Sequence, residues 1–275
     1  MTMTVMNFER HSVQRYFENQ LGCTTLEQWK NNKTSLKTYI LTAVDATALT
    51  PLLIQDATAL YTKALQSFTQ ALTAFNRNEF AWPIVKMYYS VFYAMRAELY
   101  ASSVVVIKNG QLFYTTNNVG NTFTSIQEHG SHQTYIKLRK TLPASVITRD
   151  AMLDNDIDPG VDVYSWMCNN RERVNYHAKH FSDPEPDNVL HKIYDNYVLP
   201  HKLTDLLNLY EGDRLYCFDK DHATVAVPYY KLRSCKSLLL GRVKFGGIEQ
   251  IKIASVKNQL LSAGIDTAIL GRLLL

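Results

Sequence analysis

Two arginines, two histidines, three asparagines and a tyrosine crowd into the segment Asn169 to Phe181, NNRERVNYHAKHF. These types suit a phosphodiester. A guanidinium holds a phosphate through two hydrogen bonds while carrying a permanent positive charge, and an imidazole can both take and give a proton. RNA carries its own nucleophile, the 2′-hydroxyl, so a base, an acid and a neutralising cation suffice to cleave it without a metal. Arg171 and His177 enclose five residues, and Arg173 and His180 enclose six. Either pair could do this work, and the same residues could equally be solvated or interface groups beside a core stripe.

A second set lies further on. Lys231, Arg233 and Lys236 interleave with Tyr229 and Tyr230 in a locally basic region that also holds Lys244. Cations beside stacking rings are what a single-stranded RNA surface uses, as much as ordinary solvated surface. GRVKFGG, from Gly241, lacks the Gly-Lys-Ser/Thr ending of a phosphate loop. His129 and His132 stand three apart beside Glu128, but Gly130 and Ser131 separate them and no third ligand is evident, so a surface or helix-opening role is expected and no metal. No cofactor is expected either.

The elements that must position these residues read as helices. Leu53, Ala57, Leu60, Ala64, Phe68, Ala71 and Phe75 recur at spacings of three and four, with Pro51 in an expected first turn. After NRNEF, Ile84, Met87, Tyr88, Val91, Phe92, Met95 and Leu99 form a second apolar face. Tyr88, Tyr89, Tyr93 and Tyr100 read mainly as core or interface residues, although rings can also line a nucleotide cleft by stacking. Two antiparallel helices are expected here, then a hairpin or extended insertion around the Asn-Gly pair of SSVVVIKNGQLFYTT. Further helices are expected over Ser131–Leu142, over Asp162–Phe181 and from Val189 to Tyr210 with an interruption at Pro200. On an unbroken helix through Phe181, Arg173, His177 and His180 would share one flank of the apolar stripe, and Arg171 and Asn175 the other.

The expected organisation is a helical extension over 1–50, a helical bundle over 51–211 and a small basic α+β appendage over 212–275. RLYCF and ATVAV supply the β-like runs of that appendage. A net charge of +4 is too small to establish a nucleic-acid partner by itself. Four scattered cysteines without a C-x-x-C pair suit free thiols in a reducing compartment, so a cytoplasmic location is expected. Neither a secretory leader nor a membrane-spanning run of about 18 apolar residues is apparent.

Three stretches in order resemble the HEPN superfamily (higher eukaryotes and prokaryotes nucleotide-binding). AWPIVKMYYSVFYAMRAELYA is similar to its aromatic helix, SHQTYIKLRKTLP to a later helix opening near histidine, and RERVNYH to its arginine–histidine signature. The resemblance covers about residues 51 to 200. It implies a mainly α, antiparallel helical bundle that forms a homodimer or higher oligomer and brings two motifs into one cleft. It also implies metal-independent endoribonuclease activity in toxin or antiviral-defence systems, with a regulatory protein partner. Arg171 matches the motif arginine, His177 the motif histidine, and Asn175 with Tyr176 the polar-aromatic pair, so Arg171, His177 and Asn175 are the expected catalytic set. Arg173 and His180 are the reserve pair. Glu172 departs from the pattern, because a neutral polar residue is frequent at that position. The alternative is a non-catalytic scaffold that binds a partner protein or a nucleotide.

Overall fold

Thr42 begins the longest helix of the protein, in a computed structural model that describes residues 10–242 and 248–274. The Thr42 hydroxyl accepts from the Asp45 amide at 3.1 Å, and the Asp45 carboxylate accepts from the Thr42 amide at 2.8 Å. This reciprocal cap satisfies amides that a helix start leaves without partners. Helix α4 therefore spans Ala43–Phe75, and Pro51 lies in its interior rather than in its first turn. An interior proline removes one helical hydrogen bond, but the cap upstream and the burial of Leu49, Leu53 and Ala57 carry the helix through it. The domain boundary expected at 50/51 falls inside this helix.

The described residues are mainly helical, with two small sheets. The helices before α4 are α1 (Ser12–Gln20), α2 (Leu26–Asn31) and α3 (Lys33–Thr38). After it come α5 (Ala81–Ala101), strands β1 (Val104–Asn109), β2 (Gln111–Thr116) and β3 (Thr124–Ile126), and α6 (Gly130–Thr141). The rest comprises α7 (Ala151–Asp154), β4 (Asp156–Asp158), β5 (Val161–Asp162), α8 (Val163–Glu172), α9 (His191–Ile193), α10 (Leu203–Gly212), α11 (Ala223–Leu240), α12 (Ile248–Ser262) and α13 (Thr267–Leu273). Two compact units result, one from residues 1–59 and 96–148, the other from 60–95 and 149–275.

In the first unit the expected hairpin forms. β1 and β2 pair antiparallel about Gly110, whose φ of +72° is the left-handed conformation that glycine adopts without a Cβ penalty. The early helices serve this hairpin. Gln14 accepts from the Lys108 amide at 2.9 Å, the Trp29 indole donates to the Lys108 carbonyl at 3.0 Å, and Asn109 donates to the Trp29 carbonyl at 2.6 Å. Residues 1–50, expected to be a separate extension, thus join the hairpin in one unit wherever they are described. Phe17 packs edge-on against Tyr39 and Phe123 at the centre.

In the second unit RLYCF and ATVAV do not form strands. Arg214–Phe218 is a 3₁₀ turn capped by Asp213, and ATVAV opens α11. Val225, Ala226 and Val227 are all buried. A short run buried on every side has no period that separates strand from helix, so the α+β expectation for 212–275 is corrected to helix among the described residues. A short sheet instead appears earlier, where β4 and β5 pair across Gly160.

Asp45 ties the start of α4 to two other segments, because the phenols of Tyr16 and Tyr39 donate to it at 2.6 and 2.9 Å. Burial pushes its carboxyl up, but hydrogen bonds from Tyr16, Thr42 and Tyr39 outweigh that and hold it below the usual range. A depressed carboxyl stabilises the fold above its unfolded-state value and loses that contribution as pH falls through its folded value. Asp45→Asn is expected to cost about 1–2 kcal/mol in urea unfolding at pH 7. The difference from the parent protein should shrink as pH falls below about 4.

Candidate functional site

Asp162 fixes the start of α8 by accepting from the Tyr164 and Ser165 amides, each at 3.0 Å. The helix buries Val163, Tyr164, Trp166, Met167 and Cys168 and carries Arg171 at its last turn. Beyond Glu172 the geometry departs from the expected continuous helix. Arg173–His177 is a π-helical turn closed by the Ala178 amide on the Arg173 carbonyl at 2.8 Å, and Ala178 is extended. Two anchors explain the exit. Asp183 accepts from the Phe80 amide and, at 3.1 Å, from the Ala81 amide at the start of α5, and Asp187 pairs with Arg173. A helix continued to Phe181 would leave Ser182 alone to reach the first anchor. The π turn also advances less per residue than an α-helix, so the two flanks drawn on an unbroken helix do not apply.

Arg171 is only 7% exposed. Its Nη2 donates to the Tyr89 hydroxyl at 3.2 Å, and its guanidinium carbon lies 5.7, 6.0 and 5.3 Å from the ring centroids of Tyr89, Tyr88 and Tyr176. Such rings attract a cation through their negative faces. Burial pulls this guanidinium's pKa down, whereas the Tyr89 hydrogen bond and the neighbouring phenols push it up more, so Arg171 stays charged. Glu172 pairs with its Nη1 at 3.5 Å and is itself half-buried. Nε has no hydrogen-bond partner among the described residues. Burial pushes the Tyr88 phenol well up, so it stays neutral and cannot serve as a base.

Asn175 is half-buried, whereas Tyr176 and His177 are exposed, Tyr176 at 69%. The structure thus brings Arg171 and Tyr176 together and presents His177 to solvent at the end of the turn. Arg173 and His180 also share surroundings, since both line a shallow cavity of about 150 Å³. Arg173 is engaged there, with Nη1 and Nη2 on the two Asp187 oxygens at 3.0 and 2.6 Å. Sequence reasoning missed Asp187, and the acidic run SDPEPD was the available signal. Tyr89, one of four tyrosines expected in the core or an interface, is the phenol that Arg171 reaches.

The expected RNA surface in 229–236 is largely taken up internally. Tyr229 is fully buried with its hydroxyl on Glu211, and Lys231 is 3% exposed with Nζ 2.5 Å from Asp150. Asp150 also accepts from the Tyr164 hydroxyl at 2.6 Å. Arg233 pairs with Glu211 at 2.7 Å, Lys236 donates to the Gly271 carbonyl at 2.6 Å, and Tyr230 accepts from Arg214 at 3.1 Å. Burial and pairing remove Lys231 and Tyr229 from any binding surface, and they engage the other three. Lys244 lies outside the described residues. Glu128 pairs with Lys137 at 2.7 Å, and among the described residues no group of three or more potential ligands is placed to hold a metal. No described helix is long and apolar enough to cross a membrane.

No family model, curated protein or solved structure matches this chain.

The placement of Lys231 has a measurable consequence. Removing one member of a buried ion pair strands the other charge. Lys231→Ala is expected to destabilise the fold by about 3–5 kcal/mol in urea unfolding, with a smaller loss for the double variant Lys231→Met, Asp150→Leu.

Proposed function

We propose that the chain is a metal-independent endoribonuclease of HEPN type in which Arg171 and His177 carry the reaction. The observation behind this reading is the state of Arg171. It is a desolvated cation held by rings and one phenol, with Glu172 paired to it at the longer distance of 3.5 Å, directly followed by a turn that exposes Tyr176 and His177. A cation in low-dielectric surroundings stabilises developing negative charge more than a hydrated one. Arg173 lacks that freedom, because Asp187 neutralises it through both Nη atoms.

In this mechanism the RNA 2′-hydroxyl attacks the adjacent phosphorus as His177 takes its proton. The bond to the 5′-oxygen of the next nucleotide breaks and that oxygen gains a proton, leaving a 2′,3′-cyclic phosphate and a 5′-hydroxyl. Arg171 stabilises the phosphorane, and Asn175 orients the histidine or the arginine. The Tyr176 ring must swing aside for phosphate to reach the guanidinium. Pairing of two copies, with motifs facing one cleft, belongs to the same reading, as does a role in toxin or antiviral defence under a regulatory partner. One feature favours a second reading. The burial of Arg171 among tyrosines also suits a structural pin in a scaffold without catalysis.

Labelled RNA incubated with the protein and a chelator separates the two. The ribonuclease reading expects cleavage, with His177→Ala lowering the rate at least about 100-fold and leaving the thermal midpoint unchanged. Arg171→Lys should lower it by a similar factor, equivalent to about 3 kcal/mol of transition-state stabilisation, and Arg173→Ala by much less. If no RNA is cut by the free protein or by a partner-bound form, the scaffold reading stands.

A further inference from the structure

The cavity beside the π-helical turn lies between the first turn of α5 and the segment running from Ala178 to Asp187. Val174 and Ala178 give it apolar walls, and the half-exposed ring of Phe181 stands at its edge. The Trp82 ring, also half exposed, lies 5.9 Å from that of Phe181. Two large aromatic side chains left in water beside a cavity are surfaces on which a flat ring can stack.

The polar groups narrow the occupant further. Arg173 directs one N–H from each Nη to Asp187. That leaves the second N–H on each Nη and the Nε–H, all donors with no acceptor among them. Asp187 also holds the guanidinium in a defined plane, so these donors are preorganised. A phosphate would meet a guanidinium whose charge is already offset and a carboxylate that repels it. A neutral base meets no such repulsion. Among the purines, guanine alone presents two adjacent acceptors, N7 and O6, that match a guanidinium fork, whereas adenine places an amino donor beside its N7. Cytosine also pairs two acceptors, N3 and O2, but on a smaller ring with less face to stack on Trp82 and Phe181. Ser182, on the same wall, has a hydroxyl with no hydrogen-bond partner among the described residues.

We propose that this cavity is a nucleobase subsite that takes guanine from single-stranded RNA, with Arg173 reading its N7/O6 edge and Trp82 and Phe181 stacking on its face. The placement of that guanine in an RNA substrate rests on the ribonuclease reading, but the binding itself does not. Arg173, expected from the sequence to be a reserve catalytic residue, is then a specificity residue.

Calorimetric titration of the His177→Ala protein with GMP, AMP, UMP, CMP and inorganic phosphate tests this without cleavage. GMP should bind about tenfold or more tighter than the other three nucleotides, and phosphate alone should not bind measurably. Phe181→Ala should weaken GMP, and Arg173→Lys, which keeps the positive charge but not the fork, should erase the preference for guanine. Equal binding of all four nucleotides, binding that follows phosphate, absence of GMP binding at millimolar concentration or an unchanged preference in Arg173→Lys would each overturn the proposal. The two readings fail separately. Selective GMP binding without RNA cleavage would retain the subsite and remove the ribonuclease, whereas cleavage without selective GMP binding would do the reverse.

Discussion

A guanidinium buried among tyrosine rings is the interaction on which the candidate site depends. Arg171 ends the regular part of α8, and its contacts with Tyr88 and Tyr89 set that end against α5. Taking a cation out of water is costly unless other groups replace its hydration. Here ring faces, one phenol and the Glu172 carboxylate at 3.5 Å replace it, while Nε has no hydrogen-bond partner among the described residues. The chain then leaves the α-helical path, so Tyr176 covers the cation while His177 reaches solvent.

Charge elsewhere in the second unit is used differently. The Lys231–Asp150 pair is buried and receives a third hydrogen-bonding partner in Tyr164, an arrangement that specifies how α11 meets the residues before α7. Arg233 and Tyr229 converge on Glu211 in the same manner. These networks satisfy their own members and hold helices in register. Arg171 differs in that its buried Nε has no hydrogen-bond partner among the described residues.

Periodicity was informative where elements are long and one-sided. The apolar spacing from Leu53 to Phe75 and from Ile84 to Leu99 located α4 and α5, and Asn109-Gly110 located the hairpin turn. It was uninformative where burial surrounds the chain, as at Ala223–Val227, because strand and helix then share one composition. The start of α4 is set by Thr42 and Asp45, whereas Pro51, a residue type that a first turn favours, lies in the interior of the helix. The segment NNRERVNYHAKHF runs from the end of α8 through the π-helical turn that follows. Its geometry was not legible, because the π-helical turn is imposed by partners distant in sequence, the α5 amides that hold Asp183 and the pairing of Arg173 with Asp187. For the same reason composition could not tell that Lys231 and Tyr229 face inward while Trp82 and Phe181 face solvent.

The central claim is that RNA is cut by its own 2′-hydroxyl at a site assembled around Arg171 and His177. A labelled RNA carrying a single 2′-deoxy nucleotide on the 5′ side of a mapped cleavage position tests it most directly, with chelator present. The account expects cleavage at that one phosphodiester to vanish while the other positions are still cut, each leaving a 2′,3′-cyclic phosphate. Undiminished cleavage at the deoxy position, or products ending in a 5′-phosphate, would contradict it.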